Sequence, residues 1–99
     1  LPTVMEFNAD ATGEKYRDIA KAMGVQGTET MSQEEYRKAA VDAVRKLASD
    51  VGIPKDLKGI AKEEDVRFLS ESAVADACAP GNPKEATLED IEMLYRKLL

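Results

Sequence analysis

The stretch from Ser32 to Pro54 limits what this chain can fold into more than any other. Tyr36, Ala40, Val44, Leu47 and Val51 recur at steps of three and four, while Arg37, Lys38, Asp42, Arg45 and Lys46 fill the remaining surface. That spacing predicts an amphipathic helix of about five turns. Ser32 and Glu35 are placed to form a capping box at its start, Gly52 supplies a stop, and Pro54 blocks its resumption. A helix this long, with one apolar stripe, needs other helices laid along it. The rest of the chain offers them: β-branched residues never alternate over four positions, so no strand is predicted.

Leu1 to Ala9 reads as a short helical piece without an N-terminal cap, resembling the back end of a longer helix. Because the chain opens on Leu and not Met, it is expected to be a piece cut from something larger. Tyr16, Ile19, Ala20 and Met23 predict a second helix over about 14–23, closed by Gly24, with residues 24–30 as a loop. Residues 53–59 form a link, with Ile53, Leu57 and Ile60 expected to tuck beneath it. Glu63, Glu64 and Asp65 suit the positive end of another helix, whose buried face would be Val66, Leu69, Ala73 and Ala77 and whose end would fall near Cys78. Pro80, Gly81 and Pro83 interrupt it. Thr87 and Asp90 then cap a last helix carrying Leu88, Ile91, Leu94, Tyr95 and Leu98, predicted to run to the end of the chain. The fold class is all-α, with residues 1–99 as one helical domain.

With 14 basic and 19 acidic residues the net charge is −5, and neither half of the chain is basic. This opposes phosphate backbones and anionic lipid, so neither nucleic acid nor a membrane is an expected partner. A lone cysteine makes no internal disulfide, and no apolar run approaches the roughly 20 residues of a membrane span. The expected compartment is the cytoplasm.

The absence of histidine excludes His-based acid–base chemistry and His-containing metal sites within these 99 residues. Neither a dinucleotide-binding nor a P-loop glycine pattern occurs. Adjacent carboxylates at 63–65 point in different directions on a helix and read as helix-start charge, not as a cation site. Tyr16, Tyr36 and Tyr95 read as core residues with the phenol at the rim. On the residue pattern alone, Cys78 continues the small-residue face of Ala73 and Ala77 and reads as a small buried group, and Asn82-Pro83-Lys84 as turn chemistry.

Several stretches carry a further likeness: Val4–Ala9 (VMEFNA), Glu14–Ala20 (EKYRDIA) with Met23–Val25 (MGV), Asp50–Pro54 (DVGIP), Lys62–Asp65 (KEED) and Gly81–Ile91 (GNPKEATLEDI). The chain resembles the C-terminal portion of group III iron-containing alcohol dehydrogenases over essentially its whole length. Its most specific feature is the Asn-Pro-basic motif at 82–84 following Ala77-Cys78. In that family a dinucleotide-binding α/β domain precedes an all-helical domain, and one Asp and three His hold iron between them. The resemblance places all four ligands upstream of Leu1.

It therefore implies the C-terminal half of a helical, metal-binding domain. The parent would use Fe²⁺ and NAD(H) to interconvert a short-chain aldehyde and alcohol of the lactaldehyde/1,2-propanediol type. These residues would bind neither cofactor, contain no catalytic residue, and be inactive alone. Their partner would be the remainder of the same enzyme, with a homo-oligomer allowed. Cys78 matches a position that lines the substrate cavity beside the nicotinamide. The family usually has Arg where this chain has Lys84, so a bidentate guanidinium contact is not carried over. Cys78-Ala79-Pro80-Gly81 also departs from commoner Thr- or Gly-containing versions, a difference that bears on substrate preference. The alternative from a different class is an autonomous helical module that binds a partner helix and catalyses nothing.

Overall fold

A computed structural model describes residues 1–99. Its regular structure is helical throughout: α1 (Pro2–Asn8), α2 (Lys15–Ala22), α3 (Gln33–Asp50), α4 (Glu63–Ala75) and α5 (Leu88–Arg96), with 3₁₀ turns at Ala9–Ala11, Thr28–Thr30 and Ala79–Gly81. These gather into two compact units, Leu1–Ile53 and Pro54–Leu99.

The first unit is built on α3, against which α1 and α2 pack. Met5, Tyr16, Ala20, Tyr36, Ala40 and Val41 form its core, with Ala9, Val25, Met31 and Val44 packed around them. Two buried tyrosines dominate, and each finds an acceptor for a hydroxyl that would otherwise cost free energy to bury. Tyr16 donates to the Met5 carbonyl at 2.8 Å, and Tyr36 to the Gly13 carbonyl at 3.4 Å. Arg37 donates to the same Gly13 carbonyl at 2.9 Å, and Arg17 lies over the Tyr36 ring, 4.8 Å from its centroid. The turn before α2 is thus fixed to the start of α3. Burial pushes the Tyr16 phenol above its ordinary value, and the nearby Arg37 charge works the other way.

Local chemistry sets the ends of these helices as the sequence suggests. The Ser32 hydroxyl accepts from the Glu35 backbone N–H at 3.2 Å, one arm of the expected box. Helices α2 and α3 both close in Schellman motifs. Val25 N–H reaches the Ala20 carbonyl (3.0 Å) and Gly24 N–H that of Lys21 (3.0 Å), and Ile53 N–H reaches Ala48 (2.8 Å) and Gly52 N–H Ser49 (3.1 Å). Both motifs require a left-handed residue, and Gly24 (φ +88°) and Gly52 (φ +78°) supply it.

Burial departs from expectation along α3. Tyr36 and Ala40 are fully buried and Val44 is half-buried, but Leu47 is 50% and Val51 63% exposed. At about 1.5 Å per residue the helix is roughly 27 Å long, whereas α1 and α2 are each no more than about 12 Å. Its partners reach as far as Val44 and Arg45 and leave Leu47 and Val51 uncovered. Ile53 and Ile60, expected beneath the link, are also exposed, as is Ile19 on α2. Residues 28–30 form a 3₁₀ turn within the expected loop, because Thr28 is drawn into the interior.

In the second unit α4 packs on α5, and its buried residues are Val66, Ser70 and Leu94. The core is thin, and the Ser70 hydroxyl within it has no hydrogen-bond partner. Asp65 accepts from the Lys62 N–H at 2.9 Å to start α4, the role expected of the acidic run. At α5 both arms of the box are made: Asp90 N–H to the Thr87 hydroxyl (3.1 Å) and Thr87 N–H to the Asp90 carboxylate (3.0 Å). Arg67 joins Glu71 and Glu92, and Arg96 joins Glu63 and Glu92; the outer pairs with Glu71 and Glu63 are exposed and contribute little each, while the shared Glu92 carboxylate is largely covered. The Leu57 N–H donates to the Leu98 carbonyl at 2.8 Å, tying the link to the chain's end. Helix α5 stops at Arg96, short of the expected end, with Leu98 and Leu99 N–H groups turning back onto Tyr95 and Arg96 carbonyls.

Candidate functional site

Helix α4 ends at Ala75, earlier than the small-residue pattern suggests, and the cause is Asp76. Its backbone takes an extended conformation (ψ 136°), and its carboxylate accepts from the Cys78 N–H at 2.7 Å. This is an Asx turn, a local hydrogen bond that competes successfully with another turn of helix. The expected register of Cys78 with Ala73 and Ala77 is therefore lost. Ala77 is exposed, and Cys78 is exposed and not a buried structural thiol.

The turn that follows is closely pinned. The Asp76 carbonyl accepts from Ala79 N–H (3.0 Å), that of Cys78 from Gly81 N–H (3.0 Å), and that of Ala79 from Asn82 N–H (3.1 Å). Pro80 is accommodated in the resulting single 3₁₀ turn, where its missing N–H is not needed. Asn82 then becomes extended ahead of Pro83, and its side-chain amide donates to the Lys84 carbonyl at 2.5 Å. Three residues later the Thr87–Asp90 box fixes the exit into α5. The Thr87 N–H, and after it the Thr87 hydroxyl, hold the Asp90 carboxyl below its ordinary value, with a contribution from the Lys84 charge.

Cys78, Asn82 and Lys84 thus stand on one rigid turn between α4 and α5. An exposed thiol on a fixed backbone supplies shape and a soft, weakly hydrogen-bonding surface to whatever lies against it. Sequence reasoning missed Asp76, the residue that sets this geometry. Its signal was present as an Asp two residues before the cysteine, at the point where apolar periodicity weakens. Elsewhere, no three His, Cys, Asp or Glu side chains are grouped to hold a metal ion, and no helix is long and apolar enough to cross a membrane.

Comparison with known proteins gives this turn a context. Residues 1–99 match the family described as Fe-containing alcohol dehydrogenase, C-terminal. Lactaldehyde reductase of Escherichia coli (strain K12) is 57% identical over 96 residues, covering 96% of this chain and 25% of that protein. The 1,3-propanediol dehydrogenase of Citrobacter freundii is 34% identical over 98 residues, covering 98% and 25%. A crystal structure of 1,3-propanediol oxidoreductase superposes with a TM-score of 0.90 at 32% identity, covering all of this chain and 26% of that one. The chain spans about a quarter of the length of these relatives. It belongs to the iron-containing alcohol dehydrogenase family, as a C-terminal, all-helical part of it.

Proposed function

We propose that residues 1–99 are the C-terminal part of the helical domain of a longer, cytoplasmic alcohol dehydrogenase that depends on iron and NAD(H). Its reaction is the interconversion of a short-chain aldehyde and alcohol of the lactaldehyde/1,2-propanediol type. The observation that carries this is the 57% identity to lactaldehyde reductase, against 31–34% for relatives named for 1,3-propanediol, methanol and butanol. The two compact units are read as parts of one domain of that parent.

These residues do not themselves fit an iron site, since they include no histidine and no metal-holding group of side chains. The ligands and the nicotinamide site are assigned to the upstream chain, where bound iron would supply a Lewis acid for the substrate oxygen. What residues 1–99 contribute is packing and one wall of the pocket, with Cys78 facing the substrate from its pinned turn. Residues 1–99 alone are inactive.

The test is NADH oxidation by the iron-loaded full-length polypeptide presented with lactaldehyde. Iron-dependent turnover is the expected result, and no NAD(H)-linked reduction of any short aldehyde would overturn the reading. In the same enzyme, Cys78→Trp should change the ratio of kcat/KM between a small and a larger aldehyde by about tenfold or more, the scale at which pockets discriminate on size. An unchanged ratio would remove Cys78 from the cavity wall while leaving the dehydrogenase assignment standing.

A further inference from the structure

Pro80 alone does not require α4 to end at Ala75. Ala75 and Ala77 are strong helix formers, and Pro80 disfavours helical backbone only at Ala79, so a further turn through Cys78 is open to the chain. In that turn the Cys78 N–H would donate to the Val74 carbonyl, four residues back. The Asp76 carboxylate takes this donor instead, at 2.7 Å, with the Asp76 backbone extended at ψ 136°. The Asp76 carbonyl then accepts from the Ala79 N–H at 3.0 Å, so one residue holds two consecutive amides. On the far side the Cys78 carbonyl accepts from the Gly81 N–H, also at 3.0 Å. Both backbone groups of Cys78 are therefore occupied, and its exposed thiol keeps only the choice of χ1 rotamer.

We propose that Asp76 is a positioning residue for the dehydrogenase reaction: by withholding the Cys78 N–H from α4 it fixes where the thiol stands against the aldehyde, and so sets substrate selectivity through Cys78. The proposal rests on the reading above in which Cys78 lines the cavity of the longer enzyme. What matters at Asp76 is the acceptor, not the charge. Asn forms Asx turns as Asp does, so an amide oxygen at the same place accepts from the same N–H. Ala offers no acceptor and is the best helix former. Asp76→Ala therefore releases the Cys78 N–H to the Val74 carbonyl and continues the helical register, which turns the thiol toward the small-residue face of Ala73 and Ala77. Asp76→Asn keeps it on the turn.

The experiment compares wild type, Asp76→Ala and Asp76→Asn in the iron-loaded full-length enzyme by two readouts. The first is alkylation of Cys78 by iodoacetamide, followed by mass spectrometry on the tryptic peptide 68–84, in which it is the only cysteine. The second is the ratio of kcat/KM between a small and a larger aldehyde. Asp76→Ala is expected to slow alkylation several-fold and to shift the ratio by about tenfold, the scale of one methylene in a pocket, while Asp76→Asn matches wild type in both. Alkylation and ratio both unchanged in Asp76→Ala would overturn the proposal and leave Cys78 in the cavity wall. Equal changes in Asp76→Asn and Asp76→Ala would also overturn it, since the amide restores the acceptor. A shifted ratio without slower alkylation would do the same, because selectivity would then not pass through the thiol. Slower alkylation with an unchanged ratio would overturn the proposal together with the cavity-wall assignment of Cys78. Alkylation needs no turnover, so it reports on the Asp76 hydrogen bond even where the dehydrogenase reading fails.

Discussion

Val25 and Ile53 occupy the same place in the same motif, each one residue past the left-handed glycine that closes α2 or α3. Val25 packs on the core of its unit, and Ile53 lies open together with Leu47 and Val51. The hydrogen bonds that end the two helices are equivalent to within 0.2 Å. What differs is what lies across from them. Backbone closure is a local property of residues 20–25 and 48–53, whereas burial depends on how far the neighbouring helices extend. Helix α3 contains both conditions, packed from Tyr36 to Val44 and exposed at Leu47 and beyond it at Val51.

The largest effect should come from the packed half. Tyr36→Ala empties a fully buried aromatic site and should cost about 3–5 kcal/mol, measured by chemical denaturation of the full-length protein. Next comes Leu47→Ala in the same protein. If the upstream chain covers this site the expected cost is about 2 kcal/mol or more, whereas a solvated Leu47 would lose less than about 0.5 kcal/mol. Gly24→Ala and Gly52→Ala should each cost about 1 kcal/mol, because both force a Cβ into left-handed backbone. Similar losses at the two sites would show that the helix ends are locally alike. A much smaller loss at Gly52 would mean that the end of α3 is not held as drawn.

The smallest effect concerns pH. Tyr16 has a folded pKa raised above that of the unfolded chain, chiefly by burial, so the folded state holds its proton more firmly. The stability this gives is fully present below pH 10 and is lost as pH rises through the folded value. Wild type should therefore lose more stability above pH 10 than Tyr16→Phe, in denaturation curves taken at rising pH. Parallel losses would show that Tyr16 does not report on the packing of this unit.

The same distinction decides what could be read from the sequence. Ser32, Gly24, Gly52, Thr87 and the acidic run at 63–65 act within four residues of themselves, and the structure places each at a helix end as expected. Tyr16 and Tyr36 were legible as core because bulky aromatics on a periodic apolar face have few other destinations. Ile53, Ile60, Leu47 and Val51 were not, since periodicity shows which side of an element is apolar and not whether anything covers it. Cys78 departs from expectation for a local reason: the helical register that would bury it stops at Asp76, where the Asx turn ends the helix. That Cys78 shares a stretch with Asn82 and Lys84 where a helix gives way to a stiff turn is legible from Pro80, Gly81 and Pro83; its exposure is clear only from the backbone. The family likeness suggested what that turn faces in a longer enzyme.

That longer enzyme is the central claim, and the size of the native polypeptide tests it most directly. An immunoblot of the protein's own cells, with an antibody raised against residues 31–99, should give a single band several times larger than 10.8 kDa. A band only at 10.8 kDa would contradict the account and leave the bare face of α3 to a separate partner.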